Sequence, residues 1–154
     1  MTIRRATPAD VASLGAIAFA AKAHWGYSPE QLEAWRSDLE VRADSLDSRP
    51  IYLAEDEAGP VGFVQVATDT SPWEIWALWV HPRRMRQGIG RVLLAEACRL
   101  ARDAGEAELF IDADPNAEGF YRSRGARVVA HVRAPIAGQP MRSRPQLLLP
   151  LGVA

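Results

Sequence analysis

Residues 74 to 113 place the tightest constraint on how this chain can fold. A β-rich run, EIWALWV (Glu74–Val80), stops at His81-Pro82. A basic loop follows, RRMRQGIGR (83–91), and an apolar helical pattern of Val92, Leu93, Ala97, Leu100 and Ala101 runs from Gly90 to about Ala104, with Gly105 as its stop. Leu109–Ala113 is a second β-rich run. A strand, a helix and a strand at these spacings form a crossover, which joins parallel strands by a right-handed path. The fold therefore needs a parallel pair with a glycine loop and a helix start at the end of its first strand. A chain of 154 residues supplies one domain around that unit, residues 1–154.

The flanking segments rule out a doubly wound sheet. Thr2–Ala6 reads as a short strand. A helix follows from Pro8 to about Ala23, opened by Thr7 as cap, proline in the first turn and Asp10 against the dipole. Ser28-Pro29-Glu30-Gln31 opens a second helix, through Leu39. Strands Ile51–Glu55 and Val61–Ala67 are joined by a hairpin turn, DEAGP. After the crossover come a short helix, Pro115–Ser123, a strand, Arg127–Val132, and a final apolar strand, QLLLPL, ended by Pro150. The order β-α-α-β-β-β-α-β-α-β-β is a meander followed by a crossover. It is a mixed α/β domain, whereas a dinucleotide fold would alternate strand and helix from the start.

Composition removes several classes of function. A formal net charge of -1 gives no general attraction to nucleic acid or to an anionic membrane. Cys98 is the only cysteine, so neither an internal disulfide nor a thiolate cluster is available, and it falls in a helical pattern as a buried, inert thiol. His24, His81 and His131 lack metal-ligand spacing. The first 23 residues imitate a secretory signal, with an arginine pair before an apolar run. That run is alanine-rich, too short to span a bilayer and headed by Asp10, so a cytoplasmic protein is expected. Lys22 is the only lysine, and the arginine excess fits a GC-rich bacterial genome.

Glycine lets a backbone approach an anion closely, and a helix N-terminus presents unpaired N–H groups with partial positive charge. Gln87, Gly88, Ile89, Gly90 and Arg91 therefore form a cradle for a diphosphate, with Arg83, Arg84, Arg86 and Arg91 as side-chain partners. The plainer reading is a surface loop with solvated arginines. A Walker loop is excluded by the missing Gly-Lys-Ser/Thr ending, and the dinucleotide fingerprint by the missing third glycine. A nucleic-acid patch lacks interleaved aromatic residues.

Strand 74–80 with VHPRRMRQGIG and its helix resembles the cofactor motif Q/R-x-x-G-x-G/A of GNAT-superfamily N-acetyltransferases. DADPNAEGFYRSRGA (112–126) is similar to that family's second signature, an asparagine followed by Phe-Tyr and a closing glycine. The resemblance covers nearly the whole chain, with one departure: Met85 stands at the Q/R position, with Arg86 and Gln87 one and two places along. It implies a central, mostly antiparallel twisted sheet, flanked by helices on both faces, with its parallel strands splayed at the cofactor site. It implies acetyl-CoA between 74–80 and 109–113, with coenzyme A as product, and main-chain donors at Leu78, Trp79 and Val80 toward the thioester oxygen. The implied reaction is direct attack by an amine through a tetrahedral intermediate. Tyr121 matches the general acid, Asn116 a pantetheine contact, Phe120 the aromatic beside it, and Glu74 a base on the cofactor strand. On residues alone, Tyr121 is equally a core aromatic, Asn116 a helix cap, and Glu74 an exposed strand-end acid.

The family's first two helices usually cover the acceptor. Here their connection is AKAHWGYSPE, so Trp25 and Tyr27, with Trp73 and Trp76, are expected to form an aromatic wall for an amine, and His24 beside them is a second base candidate or a surface residue. The expectation is an N-acetyltransferase for a small-molecule primary amine, with no metal, nucleic-acid or membrane partner. A peptide or protein amine is the rival acceptor, and a non-catalytic acyl-CoA-binding domain the rival class. A homodimer is also admitted, with the apolar C-terminal strand as part of its interface.

Overall fold

Apolar side chains on both faces of one strand set the architecture. Strand β3 (Gly59–Ala67) is buried from Val61 to Ala67, so layers must cover it front and back. The computed structural model, which describes residues 1–152, supplies them with four helices: α1 (Val11–Ala23), α2 (Pro29–Trp35), α3 (Ile89–Asp103) and α4 (Glu118–Ser123). The other strands are β1 (Thr2–Arg5), β2 (Ile51–Asp56), β4 (Glu74–Val80), β5 (Glu108–Asp112), β6 (Arg127–Arg133) and β7 (Ser143–Pro150). They form one sheet in the order β1-β2-β3-β4-β5-β7-β6, antiparallel throughout except for β4 with β5. No described helix is long and apolar enough to cross a membrane.

Helix α1 buries Leu14, Ile17, Ala18 and Ala21, one face at helical spacing, against Ile51, Leu53 and Phe63. On the opposite face α3 buries Ile89, Leu93, Leu94, Ala97 and Ala101 against Val64, Val66, Leu109 and Leu147. The predicted helices are shortened at their ends. Pro8–Asp10 is a 3-10 turn ahead of α1, and the second helix tightens into a 3-10 turn at Arg36–Leu39. The hairpin is tighter than DEAGP implies, because Asp56 and Gly59 already pair and only Glu57 and Ala58 turn. The C-terminal strand lies inside the sheet: β7 is paired on both sides by β5 and β6, and Leu147 and Leu149 lie in the core.

The β3–β4 ladder contains an extra residue. Gln65 faces Ala77 and Val66 faces Ile75, which leaves Trp76 as a β-bulge. The bulge turns Ile75 and Leu78 to the α3 face, and Ala77 and Trp79 to the α1 face. Parallel pairing of β4 with β5 covers only Glu74 with Phe110 and Ile75 with Ile111. Past the bulge the two strands share no ladder.

Close approach of β3 to β4 at the open end depends on Gly62. A Cβ placed there lies 2.9 Å from the Trp79 carbonyl oxygen, with Leu93 and Val80 at 3.3 Å. Backbone cannot yield as a side-chain tip does, so Gly62→Ala should lower unfolding free energy by about 1–3 kcal/mol, the usual overpacking range. A urea midpoint equal to the parent's would show that the strands have slack there.

Candidate active site

The end of β4 presents main-chain groups that no strand takes up. The His81 N–H donates to the Val61 carbonyl at 2.8 Å, next to the pair Val80–Gly62. Hydrogen-bonded pairs alternate along an antiparallel ladder, so Ala77 and Trp79 exchange bonds with β3. The main-chain groups of Leu78 and Val80 then point to the open side, where β5 has diverged. Of the three residues expected to offer donors, Trp79 is therefore occupied by the sheet.

The glycine loop continues this set of free donors. Pro82–Arg84 form a 3-10 turn, Arg86 and Gly88 take left-handed φ of 62° and 80°, and α3 begins at Ile89. The first helical bond across this start runs from the Val92 N–H to the Gly88 carbonyl, 3.1 Å. None of the six N–H groups from Arg86 to Arg91 donates to an acceptor among the described residues. Arg84 is not free for a ligand. Its guanidinium holds the Asp56 carboxylate, and its Nε donates to Gln87 Oε1 at 2.9 Å, which fastens the loop to the β2–β3 turn. Arg86 and Arg91 form no ion pair among the described residues and face the same space.

That space is a cavity of about 1000 Å³ running from the loop to the end of α1. Arg86, Gln87, Gly88, Ile89, Gly90 and Arg91 line one end; Trp76, Leu78, Trp79 and Val80 form the middle; His24 and Trp25 stand at the far end. Asn116, Phe120 and Tyr121 close the side opposite β4. Phe120 packs beside Gly90, where a Cβ would meet its ring at 3.5 Å. Tyr121 is 5% exposed. Among the described residues its hydroxyl has no hydrogen bond and no buried side-chain oxygen is left without a partner, so the hydroxyl opens on the cavity. Burial pushes the phenol well above its ordinary pKa.

Four predicted residues, Tyr27, Trp73, Glu74 and Arg83, stand outside the cavity wall. Glu74 is half-buried on the sheet face toward α1, and burial, then the Asp112 charge, raise its carboxyl above the usual range. Tyr27 turns away: its ring meets Trp35 edge-on at 4.8 Å, and its hydroxyl donates to Asp114 Oδ2 at 2.8 Å. Trp73 packs against the core, and the Arg49 guanidinium lies 3.8 Å from the Trp76 ring centroid. The expected four-ring wall is thus reduced to Trp25 and one face of Trp76.

The helix cap differs from the sequence reading. Asp114, not Asn116, caps the turn into α4, accepting the Asn116 N–H at 2.8 Å. Asp114-Pro115 is the same cap-proline signal as Ser28-Pro29, and was readable in the sequence on that ground. Asp112 and Arg124 also line the cavity without having been singled out. Burial works to raise the Asp112 carboxyl, but Arg144 at 2.8 Å and Gln146 outweigh it and hold it below the ordinary value.

Comparison with known proteins places this arrangement in a family. Residues 15–126 match the model of the acetyltransferase (GNAT) family. The chain is 31% identical over 140 residues to the uncharacterized N-acetyltransferase YafP of Escherichia coli, covering 88% of this chain and 87% of that one. It is 32% identical over 136 residues to the aminoglycoside N(6')-acetyltransferase type 1 of Stenotrophomonas maltophilia, covering 80% and 84%. Its fold superposes on the crystal structure of a GCN5-related N-acetyltransferase from Rhodopseudomonas palustris with a TM-score of 0.81 and 28% identity, covering 97% and 94%. The chain belongs to the acetyltransferase (GNAT) family. As a member it is an acyltransferase with acetyl-CoA as cofactor, and the free donors at Arg86–Arg91 fit the diphosphate of that molecule.

Gly88 and Gly90 separate conformation from space. Gly88→Ala puts a side chain in the left-handed region at a cost of about 1–2 kcal/mol, and coenzyme A affinity measured by calorimetry should fall about tenfold. Gly90→Ala meets only an ordinary contact with Phe120 and should bind within about twofold to threefold of the parent. Equal affinities for both variants would count against the loop as the cradle.

Proposed function

We propose that this protein transfers the acetyl group of acetyl-CoA to the primary amine of a small molecule in the cytoplasm. The observation that carries the proposal is the meeting, in one cavity, of the unpaired donors of Arg86–Arg91 with the Tyr121 hydroxyl. When bound, acetyl-CoA supplies a thioester carbonyl open to attack. The residues of the chain do the rest. The loop amides, with Arg86 and Arg91, hold the diphosphate. Leu78 and Val80 offer main-chain donors where negative charge collects on a carbonyl oxygen. Tyr121 keeps its proton at any working pH and can give it to a departing thiolate.

An incoming ammonium must lose a proton, since alkyl ammonium groups have a reference pKa of about 10. Glu74 suits that role through an intervening water. It has no hydrogen-bond or ion-pair partner among the described residues, and it shares the α1 face with Trp76 and Asp112. His24 and Trp25 bound the acceptor end. The likeness to an aminoglycoside acetyltransferase supports a small-molecule acceptor, and the likeness to a peptidyl-lysine N-acetyltransferase supports the rival, a protein amine.

A thiol-release assay with acetyl-CoA against a library of small amines and short peptides tests the reading. Turnover of a small amine is expected, and turnover of peptides alone would redirect the acceptor assignment. Tyr121→Phe should lower kcat by about a hundredfold or more. Because the hydroxyl has no protein partner, thermal stability and coenzyme A affinity should stay at parent values. Unchanged kcat in that variant would remove Tyr121 from the chemistry. Glu74 works as a base only when ionised, and its pKa is raised. Activity should therefore fall with decreasing pH through a midpoint above the ordinary carboxylate value of about 4.3. Glu74→Gln should abolish that limb, and a profile identical to the parent's would exclude it as the base.

A further inference from the structure

Lys22, the only lysine among 18 basic residues, is not on the surface. Its side chain is 12% exposed, and its Nζ donates to Asp114 Oδ2 at 2.5 Å while lying 4.3 Å above the Trp35 ring centroid and 5.0 Å above that of Tyr27. Asp114, 6% exposed, spends each oxygen differently. Oδ2 takes Lys22 and the Tyr27 hydroxyl; Oδ1 takes the Asn116 N–H and the Asn116 side-chain amide, both at 2.8 Å. Arg142, also 6% exposed, donates to the Tyr27 hydroxyl at 3.1 Å and to the Ala134 carbonyl at 3.0 Å. Three regions distant in sequence thus meet around one carboxylate: the continuous stretch from Lys22 at the end of α1 to Trp35 in α2, the turn into α4, and the approach to β7.

The segments so joined hold opposite ends of the reaction site. The α1–α2 loop carries His24 and Trp25, the acceptor end of the cavity. The turn capped by Asp114 leads into α4, which carries Phe120 and Tyr121. We infer that Lys22 and Asp114 are a positioning pair, fixing the acceptor loop relative to the Tyr121 helix and so setting how an amine meets the thioester. The inference rests on the proposed acetyltransfer for its kinetic consequence, but its structural consequence stands without it. Neither residue touches the diphosphate cradle at Arg86–Arg91; Asp114 holds Asn116, the expected pantetheine contact, through an oxygen that an amide at 114 retains, so diphosphate binding and acceptor handling separate.

Removing Lys22 alone would leave the buried Asp114 carboxylate with only Arg142, 3.7 Å away, as a cation and threaten folding, whereas neutralising both Lys22 and Asp114 is the kind of change commonly tolerated, with Arg142 still held by the Tyr27 hydroxyl and the Ala134 carbonyl. The test therefore uses the double variant Lys22→Met/Asp114→Asn, in which the new amide oxygen can still cap the Asn116 N–H. It is compared with Lys22→Arg, which keeps the charge. Coenzyme A affinity by calorimetry should stay within about threefold of the parent, since additive behaviour is the rule for separated sites. Amide hydrogen exchange in residues 24–28 should quicken about tenfold or more, while the donors at 86–91 keep their rates. With the best amine from the library, KM for the amine should rise about tenfold while KM for acetyl-CoA holds, and Lys22→Arg should recover part of the loss. Parent-like exchange at 24–28 in a folded double variant would overturn the inference, as would a fall in kcat with an unchanged amine KM. If no amine is turned over by the parent, the exchange result alone decides the matter, and only the acetyltransfer reading is lost.

Discussion

Two strands that run parallel for two residue pairs and then part create a demand the protein does not meet by itself. The bulge at Trp76 resets β4 so that the main-chain groups of Leu78 and Val80 leave the ladder, and the turn at Arg86–Gly88 leaves the first amides of α3 unpaired. Main-chain N–H groups that the chain itself leaves free at a helix start are met by water or by a ligand. A run of six free donors beside a helix start, open to one cavity, is a surface complementary to an anion with an extended polar arm. The architecture around it keeps this arrangement rigid. Gly62 draws β3 against β4, Arg84 ties the loop to the β2–β3 turn, and α3 is held by a fully buried face.

The two faces of the sheet divide the work. On the α3 side, core packing fixes the donor loop and places Phe120 against Gly90. On the α1 side, a smaller core leaves the sheet open near Glu74, Trp76 and Asp112, and the buried ion pair Lys22–Asp114 ties the loop carrying Trp25 to the helix carrying Tyr121. Burial works to raise the Asp114 carboxyl, but the Lys22 ammonium and the N–H of Asn116 outweigh it and keep it ionised. Tyr121, lacking any such partner, is kept neutral. Two titratable groups seven residues apart thus have their ordinary protonation states reinforced, the carboxylate by its partners and the phenol by burial.

Much of this was legible from one chain. The crossover, the glycine loop and the Phe-Tyr pair are written in local signals, proline stops, glycine spacing and helical periodicity, and they carry the family. What local signals cannot report is where a side chain goes once distant segments meet. Tyr27 sits beside Trp25 in sequence, yet turns toward Trp35 and Asp114 because a carboxylate 87 residues away accepts its hydroxyl. Arg84 looks like its neighbouring arginines until Asp56, 28 residues earlier, takes it. Asn116 has the residue type of a cap, but the cap-proline pair Asp114-Pro115 carries the better signal. The bulge at Trp76 has no sequence mark at all, because it arises from the mismatch between two ladders.

Calorimetric titration with coenzyme A and, in parallel, with pantetheine, which shares the arm but lacks the diphosphate, addresses the donor cradle most directly. The account predicts saturable heat with coenzyme A and an affinity for pantetheine weaker by about a hundredfold or more, as expected when charge-assisted hydrogen bonds to an anion are lost. Equal affinities for the two, or no heat with coenzyme A on folded protein, would contradict it.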